Sequence, residues 1–228
     1  NTDGSLLSAW GNVILEENES NEITKHLPAS IVFAVKRIEQ DAENINNLPY
    51  RSIGNLRISC KGLCTNVGET LTRCTCKQNK MNEVVENGII SLVNQGNNRW
   101  FSWGDHTSAV TAGAVDDETF RFDSSVAILY HILNRFIQKW SNVIDSPMSL
   151  RLRDCILAEE QDYLNGLRAL GCLVGNPQCL FRPIDNTSDS LGKGQFYFTN
   201  IATVVPPAKY VELQVQYTDS GLSAYIEQ

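Results

Sequence analysis

The sequence predicts an α/β protein: a small, mostly parallel sheet flanked by helices, with antiparallel strands at the C-terminal end. Three observations predict it. Helix-like and strand-like segments alternate through most of the chain. Apolar residues recur at helical spacing over 27–38, 124–140 and 149–170. The tail after residue 195 alternates apolar and polar, as half-buried strands do.

Residues 1–26 are polar and rich in Asn and Glu, broken by an apolar patch at Leu6, Leu7, Trp10 and Val13 to Leu15. An irregular arm or a first strand near 11–15 fits. From His26 to Gln40 the residues Leu27, Ile31, Ala34, Val35 and Ile38 form one apolar stripe of the kind that faces a core. Asn44, Asn46, Asn47 and Pro49 end that helix, because Asn and Pro favour turns. A strand is expected over Ile53 to Ser59, with Leu56 and Ile58 at period two. Residues 60–80 are expected to be a Cys-pinned loop, with a short helical turn over Glu69 to Cys74.

Val84 to Val93 has the apolar run of a buried strand and ends in Asn94-Gln95-Gly96-Asn97-Asn98, strong turn chemistry. Trp100 to Trp103 follows as a short strand, then a small-residue loop from Gly104 to Val115. The clearest helix is 124–140, with Asp123, Ser124 or Ser125 to cap it and Leu129, Ile132, Leu133, Phe136 and Trp140 as its stripe. Another runs from Ser149 to about Leu170, with Ile156, Tyr163, Leu164, Leu167 and Leu170 inward, and Gly171 stops it. Segments 195–205 and 209–217 are expected to pair across Pro206-Pro207. The expected organisation is an α/β lobe over residues 1–145, with a helix and a β-hairpin over 146–228 packed on the same domain.

Composition excludes several functions. The 228 residues can bury a sizeable core, and only 20% are charged, which speaks against disorder. Net charge is −7, and no Lys/Arg run is longer than two, which speaks against nucleic acid and anionic membranes as partners. No apolar stretch nears the roughly 18 residues of a membrane span, so membrane attachment would need segments outside this chain. The sequence begins at Asn1 without a charged-then-apolar leader, as expected of a processed mature chain or an excised segment.

Cys60, Cys64, Cys74 and Cys76 fall close together, and Cys155, Cys172 and Cys179 follow. The single residue between Cys74 and Cys76 is a poor bite for a tetrahedral metal, so disulfides are favoured over a metal site or free thiols. With the sequons at Asn18 and Asn186, the cysteines predict a secreted or cell-surface glycoprotein. The odd count leaves one thiol free or bridging to another chain.

Enzyme signatures are thin. There is no G-x-S-x-G, no phosphate-binding loop, no dinucleotide fingerprint and no H-E-x-x-H, and no cofactor is implied. His26 precedes a helix, and His131 sits within one. Asp105-His106-Thr107-Ser108 is the one place where acid, base and hydroxyl adjoin, and adjacency rarely gives triad geometry. Glu159, Glu160 and Asp162 suit a solvated helix face. Trp100, Phe101 and Trp103 suit core packing. The turns at 94–98 and 104–108, placed at adjacent strand ends, would frame a crevice for a small polar or anionic ligand. Its residues would be Asn97, Asn98, Ser102, Gly104, Asp105 and Thr107.

Several segments resemble the bilobed flytrap domains of class C G-protein-coupled and natriuretic-peptide receptors. They are Ala29 to Ile38, Leu48-Pro49, Ile53-Gly54 and Leu56 to Cys60, then Gly88 to Asn98, Phe101-Ser-Trp-Gly104 and Phe120 to Trp140. The resemblance covers residues 27–145 and implies a receptor-type extracellular domain, reduced to a single lobe, acting in signal transduction at a membrane. It also implies a bridge from Cys60 to Cys74 or Cys76. The expected function is a binding module for a ligand or a protein, without catalysis, in a homodimer or with a protein partner. The alternatives are a structural protein of disulfide-stabilised assemblies and a secreted hydrolase using 105–108.

Overall fold

The computed structural model describes residues 7–67, 70–112 and 120–218. The class is α/β, but the sheets are mixed. In the first sheet, β1 (Ser8–Ala9) pairs in parallel with β7 (Ile89–Asn94). β7 then pairs antiparallel with β8 (Trp100–Trp103), and β8 with β4 (Arg57–Ile58). A second four-stranded sheet is wholly antiparallel: β3 (Ile23–Pro28), β2 (Asn12–Glu17), β5 (Gly62–Val67) and β6 (Thr70–Arg73), in that order. The third is an antiparallel pair of β9 (Leu173–Leu180) and β10 (Thr199–Val204).

A mostly parallel sheet is therefore corrected to one parallel pair among the described residues. The reason lies in the connections: a five-residue turn joins β7 to β8, and a turn that short returns the chain antiparallel, whereas parallel strands need a long crossover.

The helices are α1 (Ala29–Glu43), α2 (Gln78–Glu86), α3 (Asp123–Trp140), α4 (Leu150–Ala169) and the short α5 (Ser188–Gly192). Ser149 caps α4 by accepting from the Leu152 N–H at 3.1 Å. Gly171, at φ 77°, ends it, and the Cys172 N–H turns back to the Leu167 carbonyl at 3.0 Å.

Two packed clusters form the core. Val13, Phe33, Ile58, Leu63, Met81, Ile90 and Leu92 join both four-stranded sheets with α1 and α2. Leu48, Ile128, Ile132, Leu164, Leu167 and Leu173 join α3 and α4 to β9.

Several expectations need correction. The Cys-rich stretch is the β5–β6 hairpin, not a loop, because Leu63, Thr65, Thr70 and Thr72 suit a pleated surface; Glu69 lies outside the described residues. Residues 78–86 are helical, with Met81 buried, so only the second half of the expected strand over Val84 to Val93 is a strand. The strand over 53–59 shrinks to two residues, since Gly54 and Asn55 form a turn there. Segment 209–217 forms no strand, and β10 pairs instead with β9. The end of the loop reaching Val115 lies outside the described residues, as does Leu6.

Candidate functional site

The expected ligand residues divide into two groups. Asn97 and Asn98 lie exposed in the β7–β8 turn, both in the left-handed region at φ 51° and 53°. Arg99 N–H closes that turn on the Gly96 carbonyl at 3.0 Å. Gly104, Asp105 and Thr107 lie at the far end of β8, because antiparallel pairing turns the chain back on itself. The two turns therefore do not share a rim. Asn98 instead borders a shallow cavity of about 390 Å³ with Leu15, Arg57, Cys60 and Lys61.

The second group is buried and internally bonded. Ser102 Oγ donates to the Ile53 carbonyl at 2.6 Å and accepts from the Leu56 N–H at 2.8 Å. Thr107 Oγ1 donates to the Phe120 carbonyl, and its N–H to the Arg121 carbonyl at 2.9 Å. Asp105 Oδ2 accepts from Ser52 Oγ at 2.7 Å, and Oδ1 pairs with Lys209. These groups knit the 52–56 turn, β8 and the start of α3 together.

The 105–108 run does not form a relay. The Asp105 carboxylate faces Ser52 and Lys209, whereas His106 Nδ1 lies 3.1 Å from the Val85 carbonyl. His106 also meets the Phe122 ring at 5.6 Å between centroids. A triad needs the acid to orient the base, and here each has a different partner.

Beside it stands a second charged network. Arg37 on α1 pairs with Asp123 at the start of α3, with Asp41 at 2.9 Å, and with the Pro49 carbonyl at 2.9 Å. Burial pushes the Asp123 carboxyl up to about 6, opposed by Arg37 and reinforced by Asp105 and Asp41. Between α3 and α4, Glu160 Oε1 accepts from Arg135 at 2.7 Å and from Trp140 Nε1 at 2.8 Å. Glu160 is buried, so the solvated face expected for Glu159, Glu160 and Asp162 holds only in part.

The structure joins no two of the seven cysteines by a disulfide; Cys155 is exposed, and Cys64, Cys76, Cys172 and Cys179 are buried. Among the described residues no group of three or more His, Cys, Asp or Glu side chains is placed to hold a metal ion. Asn18 lies exposed in the β2–β3 turn. Asn186 is buried, and its amide donates to the Arg182 carbonyl at 3.0 Å and the Tyr197 carbonyl at 2.8 Å.

The surface that sequence reasoning missed is apolar. On α1 the expected core stripe faces outward: Ile31 and Val35 are each 49% exposed and Ile38 69%. Ala29, Phe33 and Gln40 are the buried ones. On α3, Leu133 and Ile137 are also exposed. Between α3 and the 194–202 stretch, two adjoining hollows of about 290 and 310 Å³ share Phe136 and Phe198. In the tail Tyr210, Val211, Leu213, Val215 and Tyr217 are all at least 80% exposed. The alternation of 209–217 was the available signal, together with the α1 stripe.

No family model matches the sequence, and no curated protein does. Solved structures match. A chain of the anti-feeding prophage baseplate superposes at a TM-score of 0.72 with 16% identity, over 94% of this chain and 55% of that one. A chain of the contracted sheath complex of PVC, an extracellular contractile injection system, gives 0.71 at 16% identity, over 94% and 56%. The sheath tail protein of Listeria innocua gives 0.55 at 16% identity, over 88% and 46%. This chain thus spans about half the length of the structures it matches.

The receptor resemblance is corrected by these matches. Its short segments, an amphipathic helix, a Leu-Pro turn and a strand ending in Cys, recur wherever a helix is laid over a sheet, and so do not single out a flytrap lobe. Receptor, signalling and membrane roles go with it. The chain shares its fold with sheath and baseplate chains of contractile systems.

Proposed function

We propose that this chain is a structural subunit, without chemistry of its own, of a multi-subunit assembly related to contractile sheaths. The observation that carries the reading is the shared fold over 94% of the chain. The exposed surface supports it. Monomers seldom leave Ile31, Val35 and Ile38 open on one helix face beside an alternating tail of Val211, Leu213 and Val215. An extended segment of that pattern can add to a sheet edge, where backbone hydrogen bonds give affinity and alternate side chains give register. Among the described residues the third sheet has two strands, so it offers such edges.

The test is assembly. Light scattering and negative-stain microscopy of the chain across concentration should show ordered multimers without any added ligand. Val211→Asp with Leu213→Asp and Val215→Asp should hold it as a monomer, because a charge on the docking face must be desolvated. A wild-type chain that stays monomeric at every concentration would refute the reading.

A further inference from the structure

Lys209 stands where the body of the fold gives way to the exposed tail. Upstream, the Val205 N–H donates to the Cys172 carbonyl at 3.2 Å. Downstream, Tyr210, Val211, Leu213, Val215 and Tyr217 project into solvent. At the junction the Lys209 ammonium pairs with Asp105, a residue with no exposed surface. The slot is built. Asp105 Oδ2 is held by Ser52 Oγ at 2.7 Å, and that oxygen accepts in turn from the Gly54 N–H at 3.0 Å. The Asp105 carbonyl accepts from the Asp123 N–H at 2.9 Å, and the Phe122 ring lies 5.4 Å from the Lys209 nitrogen.

An exposed ion pair would be a weak tether. This one differs because its carboxylate is fully buried, and losing the cation leaves that charge uncompensated. The aromatic face adds a second attraction for the ammonium.

We propose that Lys209 is the positioning residue of the tail: its pair with Asp105 fixes where and in which direction residues 210–217 leave the fold. A segment presented in one direction loses less freedom on docking than a loose one. That consequence for docking rests on the assembly reading, whereas the tether itself does not.

Limited proteolysis tests the tether. In Asp105→Asn, tryptic cleavage after Lys209 should rise about tenfold, while cleavage after Lys193 stays as in the wild type. In Lys209→Met, chymotryptic cleavage after Tyr210 should rise similarly and cleavage after Tyr217 should not. The second variant decides if the first fails to fold, which a rise at Lys193 would reveal. Unchanged cleavage at Lys209 and Tyr210 overturns the tether.

Assembly tests the positioning. Asp105→Asn should need about tenfold more protein to assemble. Assembly at the wild-type concentration, with Lys209 cleaved freely, overturns the positioning role. A wild type that never assembles defeats the assembly reading alone, and the proteolysis still decides the tether.

Discussion

Arg135 of α3 donates to Glu160 of α4 across 2.7 Å, and Glu160 has no exposed surface. Trp140 Nε1 reaches the same oxygen at 2.8 Å, and the Arg135 guanidinium lies 3.7 Å from the centroid of the Tyr163 ring. Arg135→Leu removes the compensating cation and should destabilise the fold by about 3–5 kcal/mol in urea denaturation. Arg135→Leu combined with Glu160→Leu should recover most of that loss, because no buried charge then remains. A double variant as unstable as the single one would assign the effect to packing on Tyr163.

Asp123 makes stability depend on pH in a calculable direction. An unfolded aspartate titrates near pH 4, whereas the native group is pushed up to about 6. Between those values the native state holds a proton that the unfolded state has released. The stability this group contributes is therefore full below about pH 4 and declines as pH rises to about 6, by roughly 1.4 kcal/mol per unit. His131 acts oppositely, since burial and Arg135 lower its pKa and protonation on acidification costs stability. The wild type minus Asp123→Asn difference isolates the first effect. It should fall from pH 4 to 6 and level off above about 7; a difference flat throughout would exclude it.

Gly104 cannot take a side chain. Its φ is 97°, and a Cβ there would lie 2.7 Å from Cγ2 of Val85. Gly104→Ala should cost at least about 2 kcal/mol, combining backbone strain with overpacking against α2. Thermal unfolding checks it, and Gly96→Ala is a useful contrast. Gly96 also has positive φ, at 92°, but nothing lies within 4 Å of the added carbon. Equal losses at the two positions would show that φ alone sets the cost.

Element positions were legible where one chain's own packing decides them. Helices stand close to the expected spans, at 123–140 and 150–169, and Ser149 and Gly171 mark the ends of the second. The second buries Ile156, Leu164 and Leu167 as expected, whereas on the first only Ile132 of the expected stripe is buried, with Val126 and Ile128 inward and Leu133 exposed. What the sequence hides is which apolar face has a partner within the chain. The α1 stripe at Ile31, Val35 and Ile38 has a strong period, yet Phe33 and Gln40 face the core. Periodicity reports that a face is apolar, not what covers it. Strand β9 was missed because Gly175 and Pro177 interrupt its pattern, which an edge pairing tolerates. The ligand rim failed on direction: spacing alone does not say whether neighbouring strands run parallel, and β7 and β8 do not.

The cysteines give a last prediction, which exposure carries. A thiol reacts as its thiolate. Burial pushes Cys60 up to about 11 despite the Gly62 backbone hydrogen bond, and Cys76 up to about 12, with Cys74 and Cys60 adding to it. Burial and then Glu160 push Cys179 up to about 11. At neutral pH fewer than about one in a thousand such groups is ionised. Cys155 is exposed; its pKa is raised chiefly by donation to Glu159, 3.4 Å away, a contact open to solvent. Maleimide labelling of native protein, mapped by peptide mass spectrometry, should therefore modify Cys155 first, with Cys64, Cys76 and Cys172 labelled only on unfolding. The same map, made on material never exposed to reductant, separates the two readings of the Cys-rich hairpin. A peptide joining Cys60 to Cys74 or Cys76 would support assembly in an oxidising compartment. Seven free thiols would assign a reducing one, and with it the loss of any disulfide contribution to the stability of the β5–β6 hairpin.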